Sequence, residues 1–129
     1  MRYMILLKSL SVPAAPPSPE LFAAIMALGE EAKDAGVLLD TQGLQPSSSG
    51  TRVTLAKGQL AAADGPFAES KELVSYAVYD VRSKEEAVEW ASRFMKLHRD
   101  LWPGWEGDAD VLKVFGPEDF GPPEGAPGA

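Results

Sequence analysis

RYMILLKSLSVPAAPPSPELFAAIMALGEEAKDAGVLL, residues 2–39, reads as a strand, a helix and a second extended run in that order. RYMILL (2–7) is a β-rich apolar run and predicts a buried strand. Ser18, Pro19 and Glu20 then supply an N-cap, a proline at the first helical position and an acid in the first turn. Leu21, Ile25, Leu28, Ala32 and Ala35 recur at helical spacing, and Gly36 provides the stop. Gly29 inside this stripe costs about 1 kcal/mol relative to Ala, and a close approach of helix to sheet is one reason to keep it. Val37 to Leu39 is apolar and extended. The run SVPAAPPSP at 11–19, with four prolines, reads as a stiff connector rather than a polyproline ligand.

Beyond this unit, Gly43 and SSSG at 47–50 mark turns. TRVTL (51–55) and QLAAA (59–63) flank Lys57-Gly58, which predicts a hairpin. LVSYAVYDV (73–81) is a further strand, with Val74, Tyr76 and Val78 on one face and Ser75, Ala77 and Tyr79 on the other. Ser83 and Glu86 form a capping box ahead of a second helix. Its apolar stripe is Ala87, Trp90, Ala91, Phe94 and Met95, ending near His98. ADVLKVF (109–115) is the last strand. The order β-α-β, hairpin and strand, then α-β predicts an α+β chain: a ferredoxin-like antiparallel sheet with two helices on one face. The other sheet face is left open; Tyr3 and the strands at 73–81 and 109–115 are candidate contributors, whose facing the sequence does not fix. A second copy of the chain is its cheapest cover, so a homodimer is expected.

The chain has 129 residues, 45% of them apolar, which fits one globular domain. Residues 1–116 read as that domain, and 117–129 as an acidic Pro/Gly-rich tail with too little apolar surface to repay ordering. The net charge of −7 argues against a uniformly basic nucleic-acid groove. The charge is unevenly placed: residues 1–63 hold five bases and five acids, whereas residues 100–129 hold seven acids against Lys113 alone. The number therefore says little about a ligand pocket. No run reaches transmembrane length, and no membrane partner is expected. Met4 to Leu7 is too short for a signal core and Lys8 follows at once, so the expected location is cytoplasmic.

DGPFAESKE, Asp64 to Glu72, is the most distinctive segment. Nine residues between two strands are too many for a tight turn, so the loop must be organised by its own contacts. Asp64 can cap the turn, Gly65 can take positive φ, Pro66 fixes the next dihedral, and Phe67 can plug into a core. The same Asp64, if buried beside an apolar pocket, would have a raised pKa and serve as acid or base. Both readings of Asp64 stand at this stage. Glu69 and Glu72 are positioned to pair with Lys71 at the mouth of such a pocket.

His98 is the sole histidine, and its HRD context lacks the Asn that a kinase loop requires. A helix-terminal role against the dipole is the simpler reading. No cofactor or metal is expected: cysteine is absent, one His is too few for zinc, and no calcium loop or Gly-rich phosphate loop occurs. Trp90 reads as core. Trp102 and Trp105, in a Pro-Gly segment, are candidates for a binding lid or a dimer contact.

MRYMILL, AGVLLDTQGLQP, DGPFAESKE, SKEEAVEWASRF and KVFGPEDFG together resemble the YCII-related, or DGPF-domain, family over roughly residues 1–121. The resemblance implies a bacterial ferredoxin-like chain that dimerises as an α+β barrel, the architecture of muconolactone isomerases and small heme-free monooxygenases. It further implies a gene-neighbour link to extracytoplasmic-function sigma factors, and hence a regulatory partner. Relatives with an active site carry a His on the first helix near an Asp, but residues 19–36 contain no His, and Ile25 stands at the approximate position. Two functions follow as expectations. One is a dimeric module that binds an unknown small molecule or serves regulation. The other is a cofactor-independent isomerase- or lyase-like enzyme using Asp64.

Overall fold

The computed structural model describes residues 1–10 and 15–120. Residues 11–14 of the proline connector and 121–129 of the expected tail lie outside the described residues; the start of that tail, Pro117–Asp119, forms a 3-10 turn. Among the described residues six strands and two α-helices follow one another: β1 (Arg2–Ser9), α1 (Pro19–Asp34), β2 (Leu38–Gly43), β3 (Thr51–Ala56), β4 (Gln59–Asp64), β5 (Glu72–Asp80), α2 (Lys84–Leu101) and β6 (Gly107–Lys113). The main sheet runs β2-β5-β1-β6 with every neighbour antiparallel. This is the ferredoxin-like order, with the β3–β4 hairpin inserted as a separate two-stranded sheet.

Local chemistry accounts for the elements. Ser18 Oγ accepts from the Leu21 amide at 3.2 Å, and Pro19 opens α1. Gly36, at φ 75°, ends it. Ser83 Oγ accepts from the Glu86 amide at 3.1 Å, as a capping box requires. The Glu86 carboxylate instead reaches the Arg82 amide at 3.1 Å, one residue before the cap. Lys57 and Gly58 both have positive φ, the backbone of a tight two-residue hairpin. Several boundaries differ from the sequence reading. β1 runs on to Ser9, and β2 runs from Leu38 to Gly43, so Gly43 ends a strand rather than marking a turn. β5 begins at Glu72, so the loop after β4 spans only residues 65–71; α2 runs beyond His98 to Leu101; and β6 is shifted two residues earlier.

Both helices cover one sheet face. Tyr3, Ile5 and Tyr79 from the sheet pack with Ala32 of α1 and with Ala87 and Ala91 of α2, all buried, and Trp90 stacks on Tyr79 at 5.8 Å. Tyr3 thus belongs to the helix-covered core, not to the open face. Its cross-strand partner is Tyr79, and alternation carries both inward. The opposite face carries Met4 and Leu6 of β1, Tyr76 and Val78 of β5, and Leu112 of β6, in register with one another and with no helix over them. Gly29 does not mark a close approach: a Cβ there would meet nothing within 4 Å.

Candidate functional site

The loop that follows β4 is wrapped around a single 3-10 turn, Ser47–Ser49. The Gly65 amide donates to the Gly50 carbonyl at 2.8 Å, and the Phe67 amide to Ser47 Oγ at 3.0 Å. The Ser47 amide donates to the Glu72 carboxylate. A Cβ on Gly65 would stand 1.7 Å from the Ser47 carbonyl oxygen, so glycine is required here by close backbone approach rather than by positive φ. The Gly65–Pro66 peptide is cis.

Asp64 ends the hairpin. Its carboxylate accepts from Thr51 Oγ1 at 2.8 Å across the last pair of the β3–β4 ladder, and the residue is exposed. The partner is a side-chain hydroxyl rather than the backbone N–H groups that a turn cap would use.

Between the turn and the loop lies an open cleft of about 520 Å³. Leu44, Phe67 and Leu73 give it apolar surface; Arg52, Glu69, Lys71 and Glu72 bring charge. The pairing differs from the sequence expectation. Lys71 meets neither Glu69 nor Glu72 but binds Asp108 on β6. Glu69 binds Arg52, whose guanidinium lies 4.1 Å from the centre of the Phe67 ring. Phe67 is accordingly half-buried beneath Arg52 at the cleft, not a plug in the main core. Arg52, Ser47, Leu44 and Leu73 are among the cleft residues the sequence reading missed. Arg52, the one ionisable residue in an otherwise apolar and hydroxylic strand, was the available signal.

The electrostatics favour positioning over proton transfer. The Ser47 amide and hydroxyl hold the Glu72 carboxyl below its ordinary range, and Asp108 holds the Lys71 ammonium above its own. Both shifts lead away from neutrality, whereas a general acid or base works best with a pKa near the operating pH.

His98, Trp102 and Trp105 form a second cluster. His98 is 3% exposed, and its Nδ1 lies 3.0 Å from the Phe94 carbonyl, one helical turn back. The Trp105 and Trp102 rings sit 4.6 and 6.3 Å from the imidazole, and the Trp102 indole N–H donates to the Ala15 carbonyl at 3.0 Å. Burial pushes the His98 pKa down. The imidazole is therefore a neutral core group, not an exposed partner of the helix dipole. Neither tryptophan, nor His98, nor Asp64 lines the cleft. Ile25 borders a cavity of about 70 Å³ between α1 and the sheet, together with Leu28, Leu38, Trp90 and Phe94.

Among the described residues no group of three or more His, Asp or Glu side chains is placed to hold a metal ion, and no helix is long and apolar enough to cross a membrane. No curated protein matches the chain. The family model described as the YCII-related domain matches residues 1–100, from β1 to the last turn of α2.

Proposed function

The chain belongs to the YCII-related domain family, and on that footing we propose that it is a small-molecule-binding module that works as a homodimer. The cleft carries this reading: about 520 Å³ between the 44–52 segment and the 65–73 loop, with apolar surface beside fixed charges. A site of that volume fits a small organic molecule whose apolar body packs on Leu44, Phe67 and Leu73 and whose polar end meets Arg52 or Lys71. The dimer is supported by the uncovered face of Met4, Leu6, Tyr76, Val78 and Leu112, since contiguous apolar surface mixed with polar residues marks an interaction site. Acid–base catalysis at Asp64 draws no comparable support, because that carboxylate is exposed, held by Thr51 and outside the cleft.

The test is a thermal-shift screen of small organic acids and neutral amphiphiles, with hits mapped by amide chemical shifts. A ligand at a hundred times its Kd stabilises by about 2.7 kcal/mol. The expected result is a hit that moves the amides of Gly50, Arg52, Phe67 and Leu73 and loses affinity in Arg52→Ala. Hits that map elsewhere, or that bind Arg52→Ala and the parent alike, overturn the cleft as the site.

A further inference from the structure

Among the described residues the β3–β4 hairpin has no extensive packing against another strand or helix; beyond its root, Arg52 meets Glu69 and Phe67 of the following loop. All its residues are exposed, including the large apolar ones: Val53 and Leu55 at 69% and Leu60 at 73%. The register pairs Leu55 with Leu60 and Val53 with Ala62, so alternation gathers all four on one face. Arg52, Thr54 and Ala56 take the opposite face. An isolated two-stranded hairpin is marginal in water without a further layer on its apolar side. The root, however, is fixed by the Thr51–Asp64 and Gly65–Gly50 bonds and by the Gly65 approach to Ser47. The result is an anchored arm with an uncovered apolar face.

We propose that this arm is an intersubunit clasp: its Val53, Leu55, Leu60 and Ala62 face docks on a second copy of the chain, beside the open face of that copy's four-stranded sheet. The proposal rests on the homodimer reading above and adds the surface that secures it.

Area favours a second copy. Six residues at about 3.3 Å each and strands about 4.8 Å apart give the hairpin face about 200 Å² in projection and the sheet face about 400 Å². A stable interface needs about 800 Å² of accessible surface per partner. The hairpin alone falls well short, whereas hairpin and sheet face together approach that size once side-chain relief is included. Two identical chains related by a twofold axis each give an arm and receive one, so the apolar arm and the mixed sheet face, where Asp110, Asp40 and Gln42 stand beside Leu6, Val78 and Tyr76, are covered by one closed contact. Charge points the same way. Arg52 is already paired with Glu69 on the opposite face, and Asp64 sits at the root, so the arm's outer end presents Lys57 on a chain of net charge −7. Such an arm is attracted to another copy where the rest of the two surfaces repel. The arm's opposite face also places Arg52 over Phe67 in the cleft, so docking would steady one wall of the ligand site.

Sedimentation equilibrium on the full chain tests this. The parent should be a dimer, and the double substitution Leu55→Asp with Leu60→Asp should weaken association at least about 100-fold. Thr54→Asp, on the opposite face, should stay within tenfold of the parent. Because the parent lacks cysteine, Val53→Cys and Thr54→Cys each give a single thiol for labelling. The thiol at 53 should react at least tenfold more slowly in the dimer than after dilution to monomer; the thiol at 54 should not change. A dimer unaffected by the double substitution, or equal labelling at 53 in both states, overturns the clasp and leaves the homodimer standing. A monomeric parent overturns both.

Discussion

Replacing Gly65 with alanine should cost this protein up to about 3 kcal/mol, and the reason is entirely local. The added methyl would stand 1.7 Å from the Ser47 carbonyl oxygen, 2.6 Å from its carbon and 3.3 Å from the Ser48 nitrogen. All three are backbone atoms, so no rotamer change relieves the clash. The loop must instead withdraw from the turn, which breaks Gly65 N–H to Gly50, Phe67 N–H to Ser47 Oγ, and Ser47 N–H to the Glu72 carboxylate. The two neutral bonds contribute about 0.5–1.5 kcal/mol each, which gives up to the figure above. With a urea slope of about 2 kcal/mol/M, the unfolding midpoint should fall by up to about 1.5 M. Gly43→Ala is the control, since a Cβ there meets nothing within 4 Å; compatible Gly→Ala changes stabilise by about 0.4–1 kcal/mol through the unfolded chain. Amide exchange should show the loss first at residues 47–72. A Gly65→Ala midpoint within about 0.3 M of the parent would refute the close-approach argument.

Other perturbations separate the remaining claims. Glu72→Gln should destabilise at neutral pH and converge with the parent in acid. The folded carboxyl titrates below the ordinary 4.5, so its contribution is present above that value and lost as pH falls through the depressed one; urea midpoints at pH 7 and pH 3 read this directly. His98 has a folded pKa below 6.5, so the unfolded chain binds its proton first and stability declines as pH drops beneath 6.5, until the folded group titrates too. His98→Phe should flatten the midpoint between pH 7 and 5, and an imidazole titrating above 6.5 by NMR would contradict its burial among Phe94, Trp102 and Trp105. Gly29→Ala should stabilise by about 1 kcal/mol, because α1 gains helix propensity and the methyl enters open space; calorimetry showing a loss would mean the position is crowded.

The elements and their order were determined by the sequence itself. The caps at Ser18 and Ser83, the Gly36 stop, the Lys57-Gly58 turn and the apolar stripes are short-range signals, each acting within a helical turn or a strand pair. Period-two alternation likewise separated Tyr76 and Val78 from Ala77 and Tyr79. Tyr3 was not assignable in the same way: alternation gives a residue's face relative to its own strand, but only packing decides which face the helices cover. The loop shows the same division. DGPFAESKE was recognisable as a distinctive turn-bearing segment, yet the three acids and one base within it did not pair with one another. Lys71 found Asp108 on β6, Glu69 found Arg52, and Glu72 found the Ser47 amide. Those partners lie 17 to 37 residues away along the chain, and no local periodicity links them. The partner of Asp64, the burial of His98 and the exposure of the hairpin were decided at the same level. An ionisable group's chemistry depends on which atoms surround it in space, and those neighbours come together only when the whole chain packs.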